Sequence, residues 1–216
     1  MRDPFERPEV AANYEQWYQT PAGRRADRLE KQVLGSLLVE FPGARSILEV
    51  GCGTGHFSRW FTQQGLWTVG LDRSAAMVAE VRRDPPFGLV LGDGMKLPFR
   101  DSAFDLVAFV TTLEFVEDPV QALREARRVA TQGLILGVLN AWSILGWTRR
   151  VKGWFRPSLY REARFYSVLR LRRLLREALG QEGQRMAWRT TLYPSWFPVE
   201  QAPFPWGGFI GLAVKF

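Results

Sequence analysis

The segment Ile47-Leu48-Glu49-Val50-Gly51-Cys52-Gly53-Thr54-Gly55 narrows the fold more than any other stretch of this chain. Ser46 to Val50 is a short apolar run that fits a buried parallel strand. It runs directly into three glycines within five residues. A strand turning sharply into a helix needs residues that tolerate positive φ and close backbone approach, and glycine supplies both. Such a turn leaves the first N–H groups of the helix pointing at solvent, ready for a ligand's polar groups. The helix carries Phe57, Trp60 and Phe61, and Gly65 stops it. The spacing is G-x-G-x-G followed by His56-Phe57, so the third glycine of the dinucleotide pattern G-x-G-x-x-G is absent. Alone, the turn supports a nucleotide site and nothing finer.

An alternation of strands and helices extends from it. Residues 24 to 41 read as an amphipathic helix with Leu29, Val33, Leu34, Leu37, Leu38 and Phe41 on one stripe, ended by Pro42-Gly43. Trp67 to Leu71 reads as a second strand ending at Asp72. Ser74 then caps a helix holding Met77, Val78 and Val81, which Asp84-Pro85-Pro86 terminates. Gly88 to Leu91 and Phe104 to Val110 read as strands three and four. Asp118 caps a helix with Pro119 at its first position, and Leu134 to Leu139 is a fifth strand. After Asn140 the rhythm breaks, until Ser167 caps a helix bearing Val168, Leu171, Leu174, Leu175 and Ala178 and ending at Gly180. Two strands, Arg185 to Leu192 and Phe209 to Phe216, fit an antiparallel terminal pair. This order predicts a parallel α/β sheet wound on both faces.

Two acids give the turn a more specific ligand. Asp72 ends the second strand, seventeen residues beyond Gly55, where a carboxylate can accept both hydroxyls of a ribose. Asp93, after the third strand, can accept an exocyclic amine while a neighbouring N–H reads an adenine ring nitrogen. Convergence of these sites at the carboxyl ends of adjacent strands points to adenosine.

At this point the residues resemble a known family. Ile47 to Gly55 looks like motif I of class I S-adenosylmethionine (SAM)-dependent methyltransferases. Gly92-Asp93-Gly94-Met95-Lys96-Leu97-Pro98-Phe99, Phe104 to Val107 and Phe115 to Pro119 resemble segments of the methyltransferase type 11 group that includes ubiquinone and menaquinone C-methyltransferases. The likeness covers roughly residues 44 to 140. It implies a Rossmann-like, three-layer αβα fold with seven strands ordered 3-2-1-4-5-7-6, strand 7 antiparallel. It also implies SAM as cofactor and S-adenosylhomocysteine as product. On the matching positions, Gly51, Cys52, Gly53 and Gly55 would hold the methionyl part, with Glu49 orienting the loop. Asp72 would take the ribose, Arg73 and Met77 would flank the adenine, and Asp93 with Gly94 or Met95 would read its edge. Val110 and Thr111 would offer backbone contacts to the methionyl ammonium. The segment from Tyr14 to Arg24 resembles an aromatic lid, in which Tyr14 or Tyr18 would attract the sulfonium by its ring face. Where that group often has a His-His pair after strand four, this chain has Glu114-Phe115.

The expected organisation is a single domain over residues 1–216, with a lid at about 10–41 and a substrate-side insertion at about 141–180. No catalytic base is singled out, and the candidates are His56, the only histidine, and Glu114. Methyl transfer is an in-line displacement that needs little beyond alignment, worth about 7–11 kcal/mol. No Cys/His spacing suggests a metal. Cys52 is the only cysteine, which excludes an internal disulfide and fits a reducing cytoplasm. The apolar run from Gly133 to Trp147 falls short of the ~20 residues a membrane span requires.

The net charge of +7 is concentrated. Between Arg149 and Arg185 there are eleven arginines and lysines against three glutamates. Such a patch suits an anionic substrate or transient contact with a membrane surface. The leading expectation is a small, apolar or aromatic methyl acceptor walled by Trp142, Trp147, Trp154, Trp196 and Trp206. A nucleic-acid (RNA) methyltransferase ranks behind it, because no N-P-P-Y-like motif is present. A SAM-binding regulator without turnover is the alternative outside enzymes.

Overall fold

A computed structural model describes residues 4–81, 85–143, 163–180, 185–194 and 197–216. Trp147, Trp154, Trp196, Asp84 and the basic residues Arg149, Arg150, Lys152, Arg156 and Arg161 lie outside the described residues. Among the described residues, eight strands form one sheet: β1 (Ser46–Val50), β2 (Trp67–Asp72), β3 (Gly88–Leu91), β4 (Phe104–Val110), β5 (Ala130–Leu139), β6 (Arg185–Thr191), β7 (Gln201–Ala202) and β8 (Phe209–Lys215). Their order is β3-β2-β1-β4-β5-β8-β6-β7. β3, β2, β1, β4 and β5 are parallel, whereas β8 pairs antiparallel with both β5 and β6.

The expected order therefore holds, with one strand added. Gln201–Ala202 pairs with Thr190 and Thr191 at the outer edge. Two residues among prolines carry no alternation that a sequence pattern could register. β5 begins four residues before its apolar run. Ala130 to Gly133 precede that run, yet Ala130 pairs with Phe104 and Gly133 with Lys215.

The helices are α1 (Pro8–Gln19), α2 (Pro21–Leu38), α3 (His56–Gln63), α4 (Ala75–Ala79), α5 (Pro119–Val129) and α6 (Val168–Leu179). Strand alternation sorts the core into two layers. Leu48, Val50, Val107 and Phe109 face α5 and α6, while Ile47, Leu106, Ala108 and Val110 face α2 and α3. Ser74, Asp118 and Ser167 each accept a hydrogen bond from the backbone N–H three residues on, as N-caps do. α4 ends at Ala79, so Val81 stands beyond it.

Two expected boundaries change. α2 is a sheet-packing helix, with Leu29, Val33, Leu34 and Leu37 buried, so of residues 10–41 only α1 can serve as a lid. α6 packs on α5 through Val168, Leu171 and Leu175 and belongs to the outer layer rather than to a substrate cap. Among the described residues, no helix is long and apolar enough to cross a membrane.

Candidate cofactor and active site

The glycine turn joins β1 to α3 at the carboxyl edge of the sheet. Gly51 and Gly55 adopt φ of 75° and 79°. A Cβ on Gly51 would collide with the Thr112 side chain, and one on Gly55 with the ring of Phe87. The turn's own N–H groups are already engaged. Gly51 and Cys52 donate to the Leu71 carbonyl at 2.7 and 3.0 Å, Gly53 to Asp72 Oδ2 at 2.7 Å, and Gly55 to the Cys52 carbonyl at 2.9 Å. These four groups precede α3, whereas the expectation of open N–H donors concerned the first turn of the helix, which begins at His56. β2 runs alongside and its end takes most of the four.

Around the turn lies an open cleft. Asp72 is on its wall and buried, with Oδ2 held by Gly53 N–H and Oδ1 by Ser74 N–H at 2.8 Å. Arg73 and Met77 line the same wall. Asp93, Gly94 and Met95 form the next part, where the Met95 N–H donates to Asp93 Oδ1 at 2.9 Å. That bond leaves Gly94, not Met95, as the backbone donor for a ligand. Arg73 and Glu117 meet at 3.8 Å, and both line the cleft.

Val110 and Thr111 complete the floor at the end of β4. The Thr111 N–H is taken by the Gly137 carbonyl at 2.7 Å, so its contribution to a ligand would be a carbonyl. Thr112, which sequence reasoning passed over, donates toward the carbonyls of Gly51 (3.2 Å) and Val110 (3.1 Å) and thereby ties the two loops together. Glu49 is 1% exposed and also lines the cleft. The Ser58 hydroxyl donates to its Oε2. Burial, reinforced by the charge of Asp72, pushes its pKa to about 8 against the pull of Ser58 and Arg59. Burial likewise pushes the Cys52 thiol up, which leaves it unreactive as a nucleophile.

An aromatic chain roofs the cleft. Phe115 packs edge-on to Phe5 (centroids 4.9 Å apart), Phe5 to Tyr14 (6.3 Å) and Tyr14 to Tyr18 (6.1 Å). Tyr18 stacks on His56 at 3.7 Å, with the rings 7° from parallel. Phe5 carried no sequence signal, and Phe115 was marked only as part of the segment from Phe115 to Pro119. Phe5 is placed because its carbonyl accepts from the Ser74 hydroxyl at 2.7 Å, a contact between residues 69 apart in the chain.

The Methyltransferase domain family profile matches residues 48–136. The chain is 30% identical over 169 residues to an uncharacterised protein of Methanocaldococcus jannaschii, covering 77% of each. It is 38% identical over 111 residues to the demethylmenaquinone methyltransferase of Renibacterium salmoninarum, which spans 51% of this chain and 45% of that enzyme. A solved SAM-dependent methyltransferase of Thermotoga maritima, described as a possible histamine N-methyltransferase, superposes with a TM-score of 0.78 at 30% identity over 96% of both chains. The chain belongs to the class I SAM-dependent methyltransferases.

The cleft suits the cofactor of that family. Carboxylates and carbonyls border it, aromatic faces cover it, and the four turn N–H groups are used internally. This acceptor set suits a ligand with hydroxyls and positive charge. Of the fifteen positions that the resemblance pointed to, Gly55 does not line the cleft. It is the N-cap of α3, packed beside Phe87.

In this methyltransferase neither candidate base stands ready to take a substrate proton. His56 Nε2 lies 2.6 Å from Asp27 Oδ1. Burial lowers the imidazole pKa, but the hydrogen bond to Asp27 and the nearby Glu15 carboxylate outweigh it and the net shift is upward. Both ring nitrogens face carboxylates, Nε2 that of Asp27 and Nδ1 that of Glu15 at 3.7 Å. Glu114 is neither a surface carboxylate nor a wall of the cleft. It is 1% exposed, Oε1 accepts the Leu139 N–H at 2.6 Å, and Oε2 has no hydrogen-bond partner. Burial pushes its pKa to about 7.

The expected tryptophan wall is also revised. Trp142 and Trp206 are more than half exposed, and neither lines the cleft. Part of the basic excess is structural, since Arg164 donates to the carbonyls of Val116 and Glu117 and Arg170 lies over the Tyr166 ring.

Proposed function

We propose that this methyltransferase binds SAM in the cleft and transfers its methyl group to a small apolar or aromatic acceptor, leaving S-adenosylhomocysteine. One observation carries the reading. Asp72, Asp93, the glycine turn and the end of β4 line a single cleft whose turn N–H groups are used internally. In it the carboxylate of Asp72 would accept the ribose hydroxyls, since each of its oxygens can take more than one hydrogen bond. Asp93 and the Gly94 N–H would read the adenine edge. Carbonyl oxygens at Gly51, Val110 and Thr111 would receive the methionyl ammonium, and Tyr14 or Tyr18 would present a ring face to the sulfonium.

When bound, SAM supplies an activated methyl group with a thioether leaving group. The chain's own residues then hold that carbon in line with the acceptor and exclude water, an effect worth about 7–11 kcal/mol without a base. Phe5, Tyr14 and Phe115 make the accessible side of the cleft aromatic, which supports an apolar or aromatic acceptor. A relative that methylates demethylmenaquinone is consistent with it.

Calorimetry is expected to show binding of SAM and S-adenosylhomocysteine but not of NAD, with affinity strongly reduced in Asp72→Asn. Undiminished binding in that variant would remove Asp72 from the site. Transfer of label from SAM into a fractionated lysate is expected in the lipid and small-molecule pool. Label in RNA instead would replace the proposed acceptor.

A further inference from the structure

Glu49 is an acid without an assigned task in the transfer, enclosed in the wall of the cleft. It lies on the face of β1 that packs against α3, where the Ser58 hydroxyl donates to Oε2. Its neighbours across the sheet, Gly70 on β2 and Ala108 on β4, bring no charge. The charges that reach it are Asp72 at the end of β2, which opposes ionisation, and Arg59 on α3, which favours it. Cys52, its other titratable neighbour, holds a neutral thiol. A carboxyl 1% exposed in this setting keeps its proton in the neutral range and gives it up when a further positive charge arrives.

We propose that Glu49 discriminates the sulfonium form of the cofactor from the demethylated product by ionising when the donor is bound. The inference rests on the reading of the cleft as a SAM site. On donor binding the carboxylic O–H bond breaks, the proton leaves to solvent, and the carboxylate remains as the counter-charge to a cation taken out of water. After transfer the thioether product carries one positive charge fewer, and Glu49 regains a proton from solvent. Because the free site is protonated below pH 8 and the donor-bound site is not, donor affinity rises with pH. Linkage limits the rise to about tenfold per pH unit below about pH 8. Product affinity changes less, so the donor displaces product more readily as pH rises.

The test is titration calorimetry of the whole protein at pH 7 in two buffers of different ionisation enthalpy, with SAM and S-adenosylhomocysteine titrated separately. On the order of one proton is expected to be released with SAM, and clearly less with the product. Glu49→Gln is expected to bind SAM with that release abolished. Ser58→Ala, which removes the donor to the carboxylate and so favours the protonated acid, retains the release. It moves the levelling-off of SAM affinity to higher pH, and it tests the proposal even if Glu49→Gln does not fold. Equal release for the two ligands overturns the inference. So does release unchanged in Glu49→Gln, which would point to His56 as the source, and so does an unshifted profile in Ser58→Ala. If both ligands bind without proton exchange, only the role of Glu49 fails. If neither binds, the cofactor reading fails with it.

Discussion

Asp72 holds two backbone N–H groups, of Gly53 and Ser74. Truncation to alanine would therefore leave two buried donors unsatisfied, at about 1–3 kcal/mol each, and would confuse loss of binding with loss of fold. Asparagine keeps an acceptor for only one of the two N–H groups and removes the charge. Asp72→Asn is expected to weaken SAM binding by roughly tenfold or more and to lower the urea midpoint less than Asp72→Ala does; calorimetry and equilibrium unfolding together separate the two effects. Glu114 allows a second test at this scale. Its folded pKa is raised, from 4.5 to about 7, so the stability it contributes is full below about pH 4.5 and is lost as pH rises through 7. The shift corresponds to something on the order of 3 kcal/mol. In Glu114→Gln the fall in Tm between pH 5 and 8 is expected to flatten, with Leu139 N–H still accepted by the amide oxygen. A Tm profile identical to the parent would show that Glu114 does not titrate in that range. Little of this was legible beforehand. The position of Glu114 after β4 was readable, but its enclosure depends on β5 and on Tyr166, whose hydroxyl bonds the Leu113 carbonyl.

Helix α1 is the element whose hold on the sheet rests on charge more than on apolar packing. Only Ala11 and Tyr18 are buried along its length. Its latch is Glu15, which accepts from Thr54 Oγ1 at 2.5 Å and pairs with Arg59 at 2.9 Å, beside the Asp27–His56–Lys31 cluster. Burial pushes Glu15 up, yet the nearby His56, the hydrogen bond from Thr54 and the charge of Arg59 bring its pKa down to about 2. Its contribution is thus present above about pH 4.5 and lost as pH falls toward 2. The His56 contribution has the opposite sign: it is full below the ordinary imidazole value near 6.5 and fades as pH rises through its elevated folded value. The latch is therefore strongest between these limits. Glu15→Gln is expected to speed amide exchange in α1 while the sheet stays protected, and to cost about 1 kcal/mol at most because the pair is partly exposed. Protection unchanged in α1 would show that the aromatic stack alone holds it. The helix was read only as a lid segment because its apolar residues are too sparse to mark a stripe. The helix read over residues 24 to 41 begins earlier, at Pro21, where the Thr20 hydroxyl accepts the Gly23 N–H at 3.0 Å.

For the whole molecule, cofactor binding and stability should be coupled. SAM at 100 times its Kd is expected to stabilise the fold by about 2.7 kcal/mol. In a chain of this size that corresponds to a rise in Tm of roughly 5–10 °C, whereas NAD should produce none. A thermal scan with each ligand checks it. β1, β3 and β4 fall at the residues where their apolar runs do, and the caps Ser74, Asp118 and Ser167 act as caps. These features were determined by the sequence itself, because an apolar run, a capping side chain and a glycine turn each act over a few residues. The nucleotide-like turn and the two acids belong to the same class. Only the tertiary structure decided that β2 takes up the turn's N–H groups, that Phe5 joins the roof through Ser74, that His56 is locked to Asp27, and that Gln201–Ala202 adds an eighth strand. Each of these depends on partners far apart in the chain, and no local pattern encodes where the folded sheet will bring them.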